Sequence, residues 1–369
     1  MEIGKVPENV LKRSVFKKLT VKRPEVLVHA GVGEDCAVLA PTENALVLST
    51  DPITASAKEI GTIAFHITAN DIASSGAELV GILLTIIMPP NSEEGELKQI
   101  MDDVSQLTAE YDVEILGGHT EVSAVVNQTL VSVTGIGRIA KDKLVTTKGL
   151  KPGQDLVVTK WIGLEGTSII ATEFEKELKK RLPVSIVDES KKFASLLSVV
   201  KDSRVAMQVG VSAMHDVTEG GIFGALWEMA EASGVGLCVD LKKIPIRQET
   251  IEICEFFNLN PYQLISSGSM LIGTDHGSQL VDALAKEGIH AAVIGKAVEG
   301  NDRVIFNDGE KRFLEPPRRM NYTARLIDRR IGGYDAGRNA GKNLTKHCEK
   351  RKTFDGRFSS YVSGISGRN

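Results

Sequence analysis

Several common functional signals are missing from this chain of 369 residues. It contains four cysteines and no CxxC pair, which excludes the usual spacing of a zinc site and the cysteine density of a disulfide framework. The sequence also lacks the G-x-x-x-x-G-K-S/T phosphate loop, the HExxH zinc motif and the GxSxG nucleophile motif. Gly31-Val32-Gly33 lacks the third glycine of a dinucleotide-binding fingerprint. Because the cysteine usage fits a reducing compartment, we expect a cytoplasmic protein.

Long hydrophobic runs and an excess of positive charge are also missing. The longest apolar run, residues 79–90, is too short to cross a bilayer, and residues 1–19 lack the long apolar core of a signal peptide. A formal net charge of −4 gives no basic footprint for nucleic acid. With 42% hydrophobic and 25% charged residues, the composition is that of a globular protein, and we expect neither nucleic acid nor a membrane as partner.

The length and the order of patterns predict two α/β domains followed by a C-terminal segment. A chain of 369 residues is long for one domain and fits two. The polar, turn-rich residues 140–153 separate the halves, which gives domains at residues 1–148 and 149–320. Residues 321–369 are rich in Arg, Lys, Gly and Asn and have little apolar periodicity, so we expect a basic, disordered tail.

Hydrophobic periodicity predicts alternating strands and helices in both halves. In the first half, it predicts helices at 9–20, 57–77 and 93–111, and strands at 45–51, 80–88, 113–116 and 129–139. In the second half, it predicts strands at 155–159, 237–241, 270–274 and 291–294, and helices at 163–182, 185–200 and 221–233. The alternation indicates layered α/β domains.

The chain is rich in acidic turns flanked by glycine or small hydroxyl residues. These turns are GVGEDCAVL (31–39), STD (49–51), TANDIASSGA (68–77), GGHTEVS (117–123) and HDVTEGG (215–221). Carboxylates gathered in this way suit Mg²⁺, a hard cation that proteins bind through oxygen and usually share with substrate phosphates. Since the common nucleotide loops are absent, an ATP site in this chain must be built from carboxylates, glycine amides and a lysine.

Three aspartates are candidate Mg²⁺ ligands. Asp35 follows Gly33 in a turn and Asp51 ends a predicted strand, and each alone also fits an ordinary turn or cap. Asp71 is more informative, because it lies eleven residues after Ile60 and so continues the apolar face of the predicted helix. A carboxylate on that face is costly without a partner, and a metal or phosphate role is favoured over a structural Lys or Arg.

The GGHTE segment is a candidate for phosphate or substrate contacts. Gly117 and Gly118 follow a predicted strand and let a ligand approach the backbone, although a hairpin or bulge explains a glycine pair equally well. The side chains of His119 and Glu121 are then either contacts to phosphate, metal or a substrate proton, or plain exposed polar groups.

The start of the helix predicted at 221–233 is a candidate anion site. Its N–H groups suit a phosphate, while Asp216 or Thr218 also fits a helix cap, and the two descriptions are compatible. Lys160 directly follows a predicted strand, and its side chain reaches either a phosphate or solvent.

In this order, the motifs resemble the superfamily of aminoimidazole-ribonucleotide (AIR) synthase, selenophosphate synthetase, thiamine-monophosphate kinase and the hydrogenase-maturation protein HypE. The resemblance covers residues 30–315. It implies two α/β domains, with the N-terminal sheets of two subunits forming a barrel in a homodimer and with ATP and Mg²⁺ between the domains. Carried over by motif, the Mg²⁺ ligands are Asp35, Asp51 and Asp71, and the catalytic residues are Asp71, His119 and Glu121. The implied nucleotide contacts are Asp35, Asn70, Gly117, Gly118, Thr120, Lys160, Asp216, Thr218, Gly220 and Gly221.

Within this superfamily, the resemblance is closest to HypE. The segments VTKWIGLEGTSIIA (158–171) and HDVTEGGIFGALWEMAEASGVG (215–236) are similar to its second domain. HypE accepts a carbamoyl group on its C-terminal Cys and uses ATP to dehydrate that group to a thiocyanate. Here His119 stands where relatives have the acidic residue of GG-D/E-T. The sequence ends in SGISGRN where HypE ends in Pro-Arg-Ile-Cys, and Cys348 lies in a different context.

Three functional hypotheses follow from these observations. The first is an ATP- and Mg²⁺-dependent enzyme that phosphorylates an amide, carbonyl or acid oxygen of a small-molecule or protein-borne acceptor, in hydrogenase or metallocofactor maturation. The second is a nucleotide-binding maturation or scaffold protein that acts through a partner without turnover, which the different C-terminal residues favour. The third is a small-molecule kinase like thiamine-monophosphate kinase.

Overall fold

The structure, a computed structural model, describes residues 26–28, 36–39, 43–53 and 59–317 of the chain. It contains two β-sheets, each packed against helices. The helix predicted at 9–20, the turn that holds Asp35 and the basic segment from residue 321 lie outside the described residues. Within the described residues, no helix is both long and apolar enough for a membrane span.

The first sheet has six strands in the order β1-β2-β3-β6-β4-β5. The strands are β1 (Val26–Val28), β2 (Ala37–Leu39), β3 (Asn44–Ile53), β4 (Glu78–Met88), β5 (Glu114–Val122) and β6 (Leu130–Ala140). Neighbouring strands are antiparallel, except that β4 and β5 are parallel. Helix α1 (Ile60–Ser74) precedes β4, and α2 (Glu94–Tyr111) provides the crossover that the parallel pair requires.

Helices α1 and α2 cover one face of this sheet. Ile82 of β4 and Val133 of β6 point to this face and are fully buried against the helices. The opposite face carries Leu46, Leu83 and Leu116, which are 40 to 49% exposed. Leu46 pairs with Arg138, which forms an exposed ion pair with Glu78, so this face carries both apolar and charged side chains.

The second sheet has seven strands in the order β13-β12-β9-β11-β7-β10-β8. The strands are β7 (Asp155–Thr159), β8 (Ala213–Asp216), β9 (Gly236–Asp240), β10 (Met270–Thr274), β11 (Ala291–Val298), β12 (Arg303–Asn307) and β13 (Glu310–Phe313). Strands β9 and β12 are parallel, and the other neighbours are antiparallel.

Helices lie on both faces of the second sheet. The helices of this half are α3 (Leu164–Glu173), α4 (Glu175–Leu178), α5 (Val184–Lys191), α6 (Val200–Val209), α7 (Gly221–Ser233), α8 (Gln248–Phe257) and α9 (Gly277–Lys286). Leu156 and Val158 of β7 pack with α7, whereas Val157 packs with α6 and α9. Because both faces of β7 are covered, its sequence is a continuous apolar run rather than an alternating one.

The helix predicted at 163–182 is interrupted in the structure. Helix α3 ends at Glu173, and Phe174 leaves helical geometry with φ −115° and ψ 26° before α4 begins. The Phe174 ring packs edge-on against Phe257 of α8, with the ring centroids 5.2 Å apart. Packing of this aromatic side chain thus accompanies the break in a segment whose local periodicity is helical.

The helix predicted at 185–200 is also interrupted. Helix α5 ends at Lys191, a 3-10 turn follows at Lys192–Leu196, and α6 begins only at Val200. Between the two helices, the carbonyl of Leu197 and the amide of Val199 bond to a side chain of α1. A contact distant in sequence therefore overrides the local helical pattern.

Candidate active site

Helix α1 brings Asp71 against strand β3. Asp71 is 5% exposed, and its Oδ2 accepts a hydrogen bond from the Ser49 hydroxyl of β3. Its main-chain carbonyl accepts a hydrogen bond from the Cys36 thiol at 3.1 Å. The predicted helical face is confirmed, since Ile60 and Ile63 are buried along it. Hydrogen bonding therefore offsets part of the cost of burying this carboxylate.

Asp51 lies beside this pair. Side chains alternate between the faces of a strand, so Asp51 shares the face of Ser49, about 7 Å further along β3. The strand continues past Asp51 to Ile53, because β6 pairs with it throughout. Two of the three predicted Mg²⁺ ligands, Asp51 and Asp71, thus lie on surfaces of β3 and α1 that face each other. Asp35, the third, lies outside the described residues.

Asn70 joins α1 to the second half of the chain. Its Nδ2 donates to the carbonyl of Leu197 and its Oδ1 accepts from the amide of Val199, both at 2.8 Å. Nearby, the Ser203 hydroxyl of α6 donates to the carbonyl of Ala73 at 2.6 Å. The sequence predicts a nucleotide contact for Asn70. That contact stays a prediction, and in the structure the buried amide group links α1 to the second half of the chain.

Lys160 lies in a buried ion pair. Its Nζ is 2.6 Å from Asp202 Oδ1 and 3.0 Å from the carbonyl oxygen of Ser198. Burial lowers the pKa of Lys160, and the charge of Asp202 acts in the opposite direction. Burial, and then the charge of Lys160, lower the pKa of His66 to about 4. The sequence offers a phosphate or solvent as the partner of Lys160. The solvent alternative is wrong, because the Lys160 charge is buried beside Asp202, and the phosphate contact stays a prediction.

The glycines of GGHTE lie inside the edge strand β5 and not in a turn after a strand. Gly118 packs so closely on β4 that a Cβ atom would lie 1.9 Å from the carbonyl oxygen of Leu84. Strand packing alone therefore requires glycine at this position. His119 Nε2 and Glu121 Oε2 are 3.2 Å apart, and both side chains are exposed, as is Thr120.

Strands β3 and β5 align Asp51 with Gly118 across the first sheet. Asp51 pairs with Val133 of β6, which pairs with Leu84 of β4. Leu84 in turn pairs with Gly118 of β5. Three strand spacings separate the ends of this row, a distance of about 14 Å. The predicted residues of the first half thus come together as two groups, one at β3 and α1 and the other on β5.

Helix α7 begins at a left-handed glycine turn. Gly220 and Gly221 have φ of 92° and 60°, and the carbonyl of Thr218 accepts the Gly221 amide at 3.0 Å. A Cβ on Gly221 would lie 2.6 Å from the carbonyl oxygen of Tyr262, so packing as well as backbone geometry requires glycine. The preceding strand β8 ends at the buried Asp216 and packs against α1. The start of α7 therefore follows directly from a strand in contact with the helix that carries Asp71.

Two side chains of this region were missed by the sequence analysis. The sequence could have identified Ser49, because the STD motif places it two residues before Asp51 and hence on the same face of the strand. No local sequence pattern identifies Asp202, because its partner Lys160 is 42 positions away. Among the described residues, no three His, Cys, Asp or Glu side chains come together as a complete metal site.

Both halves of the chain match one protein family. Residues 33–139 match the N-terminal domain of AIR synthase related proteins, and residues 151–307 match the C-terminal domain. The chain belongs to the AIR synthase related family. A hydrogenase expression/formation protein of Methanocaldococcus jannaschii is 27% identical over 321 residues, which cover 82% of this chain and 91% of that protein. The carbamoyl dehydratase HypE of Rhodobacter capsulatus is 26% identical over 292 residues, which cover 77% and 83%.

Solved structures of AIR synthase related proteins have the same fold. In a HypE–HypF complex, the matching chain has a TM-score of 0.67 at 23% identity, covering 77% of this chain and 93% of that chain. HypE in complex with ATP has a TM-score of 0.66 at 20% identity, covering 88% and 98%. The thiamine monophosphate kinase of Aquifex aeolicus has a TM-score of 0.60 at 20% identity, covering 75% and 92%. The predicted mixed α/β fold with two sheets is thus confirmed.

Proposed function

We propose that this chain is an ATP-dependent enzyme that activates an amide, carbonyl or acid oxygen by phosphoryl transfer, in the manner of a carbamoyl dehydratase. The observation that carries the proposal is the buried contact between Ser49 and Asp71, with Asp51 beside it, in a chain that matches both AIR synthase related domains. Relatives named for hydrogenase formation and carbamoyl dehydration support a role in hydrogenase or other metallocofactor maturation.

The donor groups of the first half fit ATP with Mg²⁺. Asp51 and Asp71 offer hard oxygen donors, and Mg²⁺ commonly takes one or two carboxylates and completes its shell with water and phosphate oxygens. We propose Asp35 as the third acidic residue of this site. When bound, Mg²⁺ would offset charge that develops on the transferred phosphoryl group. Because HypE, a protein of the same fold, has been solved with ATP, the nucleotide itself is well supported.

The remaining residues of the proposed site position the nucleotide. The Ser49 hydroxyl holds the Asp71 carboxylate, and the glycine start of α7 presents backbone amides that suit a phosphate. We propose that the predicted residues Asp216 and Thr218 complete these contacts. We also propose that His119 and Glu121, exposed on the other face of the edge strand β5, contact the substrate or nucleotide at this edge. In this arrangement the protein accelerates the reaction mainly by position and electrostatics.

We also propose a homodimer and a maturation partner. The exposed Leu46, Leu83 and Leu116 on the outer face of the first sheet suit a second copy of the chain, as in the barrel that the family resemblance implies. We further propose that the chain forms two domains with one sheet each and a boundary near residue 149. The structure of HypE in complex with HypF supports a protein partner.

The variant Asp71→Asn tests the proposed reaction. It keeps the size of the side chain and removes the charge that would bind Mg²⁺. We expect ATP turnover, measured as phosphate release with an S-carbamoyl-cysteine peptide as acceptor, to fall at least tenfold, which is about 1.4 kcal/mol of barrier. The exposed Asp102→Asn on α2 is the matched control and should keep full turnover. Full turnover in Asp71→Asn would remove the proposed metal role.

A small-molecule kinase is the second candidate, because the fold is shared with a thiamine monophosphate kinase. Phosphate transfer to an added alcohol or phosphate ester, with no reaction of the carbamoyl peptide, would favour that candidate. Calorimetric binding of ATP with Mg²⁺ and no turnover of any acceptor would instead favour a nucleotide-binding scaffold.

A further inference from the structure

A second buried carboxyl lies in the other half of the chain. Glu165 is in the first turn of α3, directly after β7, and is 3% exposed. Ser267 faces it through its hydroxyl and amide groups. Even so, neither Glu165 Oε2 nor Ser267 Oγ makes a hydrogen bond of ordinary geometry, and both atoms are buried. A buried polar atom without a hydrogen bond destabilises the fold. Residues that carry such atoms are therefore candidates for function.

Glu165 and the glycine start of α7 lie at the same edge of the second sheet. Strands β7 and β8 are both antiparallel to β10, so both end at the edge where β10 begins. Two hydrogen bonds fix the loop before β10 at this edge. The Gly163 amide donates to Ser266 Oγ at 2.6 Å, and the Val217 amide donates to the Ser269 carbonyl at 2.9 Å. The loop that holds Ser267 thus touches the segments leading into α3 and α7.

This edge also adjoins α1. A Cβ on Gly268 would lie 2.6 Å from the carbonyl oxygen of Leu196 and 3.1 Å from the Cα of Leu197. The Leu197 carbonyl in turn accepts the hydrogen bond from Asn70. Gly268 and Asn70, the neighbour of Asp71, therefore both contact the segment at Leu196–Leu197. Glu165 is thus connected to α1 through the Ser267–Gly268 turn and the Leu196–Leu197 segment.

The surroundings of Glu165 favour proton transfer near neutral pH. Burial raises the pKa of Glu165 from 4.5 to about 6. Among the described residues, Glu219 is the charged group that bears on it, and its negative charge also raises the pKa. Ser267 acts in the opposite direction. A carboxyl with a pKa near 6 is mostly ionised at pH 7 and yet is a stronger base than an ordinary glutamate.

We propose that Glu165 is the catalytic proton acceptor of this enzyme, an inference that rests on the proposed function. With an amide acceptor, the amide oxygen forms a bond to the γ-phosphorus of ATP while the bond to the bridging oxygen breaks and ADP leaves. The nitrogen of the O-phosphorylated amide then carries two protons and a positive charge. Glu165 takes the first proton. The electron pair of the second N–H bond forms the C≡N bond as the C–O bond breaks, and the departing phosphate receives that proton.

Two variants test this role through the pH profile. Product formation from ATP with an S-carbamoyl-cysteine peptide would be measured between pH 5 and 8.5, beside calorimetric binding of ATP with Mg²⁺. In Glu165→Gln we expect product formation at pH 7.5 to fall at least about 100-fold, with ATP affinity within about threefold of wild type. Ser267→Ala keeps the Glu165 carboxyl and removes the hydroxyl that lowers its pKa. The pKa of Glu165 should therefore rise, and the acidic limb of the pH–rate profile should shift to higher pH. The exposed Glu255→Gln on α8 is the control.

The outcomes separate this inference from the proposed function. A Glu165→Gln protein that forms product within about threefold of wild type, with an unchanged acidic limb, would overturn the role of Glu165 alone. If Glu165→Gln does not fold, a pH–rate profile of Ser267→Ala whose acidic limb is not shifted would also overturn the role of Glu165. A wild-type protein that binds ATP but forms no product would overturn the proposed function and, with it, the proton transfer.

Discussion

The polar residues between α1 and the second half of the chain differ clearly from those on β5. At the first place, Asn70 is buried and bonds across the contact to Leu197, while Lys160 and Asp202 are buried and pair with each other within the second half. On β5, His119 and Glu121 are exposed and contact each other. Sequence patterns singled out members of both groups for ligand binding. The difference in burial indicates that Asn70 links the two halves and that the Lys160–Asp202 pair stabilises the second half, whereas His119 and Glu121 are accessible to a ligand or partner.

The largest expected effect is on the buried ion pair. In Asp202→Ala, Lys160 keeps its charge in a site where both side chains are less than 10% exposed, so we expect a loss of about 3–5 kcal/mol in the free energy of unfolding. Chemical denaturation measures this loss. The control is Lys201→Ala, on the same helix as Asp202. It removes a surface ion pair with Glu287 and should change stability little. Equal effects of the two variants would contradict the distinction between the regions.

Asn70→Ala should have the next largest effect. It leaves the Leu197 carbonyl and the Val199 amide without their partner, and two buried groups of this kind cost about 2–4 kcal/mol. Denaturation curves would show the loss, and hydrogen exchange should increase at the start of α6. Asn127→Ala, at an exposed loop position, is the control. A fully stable Asn70→Ala protein with weakened ATP binding would instead favour the nucleotide contact that the sequence predicts.

The helical face that carries Asp71 was predictable from the sequence, because helical periodicity is a local property. The interruption at residues 197–199 was not, since the Asn70 contact that accompanies it comes from a residue 127 positions away. Gly118 shows a third case. The sequence leaves open whether a ligand or a bulge requires glycine, and the structure shows that the backbone of β4 alone requires it. Long-range pairing leaves no local pattern, so burial of a polar residue is visible only when its partner is known.

A smaller effect, which depends on pH, is expected at Glu165. Its pKa rises from 4.5 to about 6 on folding, so the folded state binds the proton more tightly. The stabilisation by the protonated form is complete below pH 4.5 and is lost as the pH rises to about 6. Glu165→Gln does not titrate. Its stability relative to wild type should therefore increase by about 2 kcal/mol between pH 4.5 and pH 7. A difference that does not change with pH would show that Glu165 is not perturbed.

The smallest effect on stability is expected on β5. The His119 side chain is 65% exposed, so His119→Ala should change the free energy of unfolding by less than about 0.5 kcal/mol. If His119 contacts the substrate or nucleotide, product formation should nevertheless fall at least about tenfold, as for a lost acid–base group. Enzyme assays beside denaturation curves test both statements. A variant with wild-type activity would leave β5 as a structural edge strand.

The most direct test of the proposed site is a crystal structure of the full chain with Mg²⁺ and a non-hydrolysable ATP analogue. We expect Mg²⁺ about 2.1 Å from a carboxylate oxygen of Asp71, with Asp51 beside it and the phosphates facing the start of α7. Mg²⁺ and phosphates bound at another surface, with the contact between Ser49 and Asp71 unchanged, would contradict the proposed site.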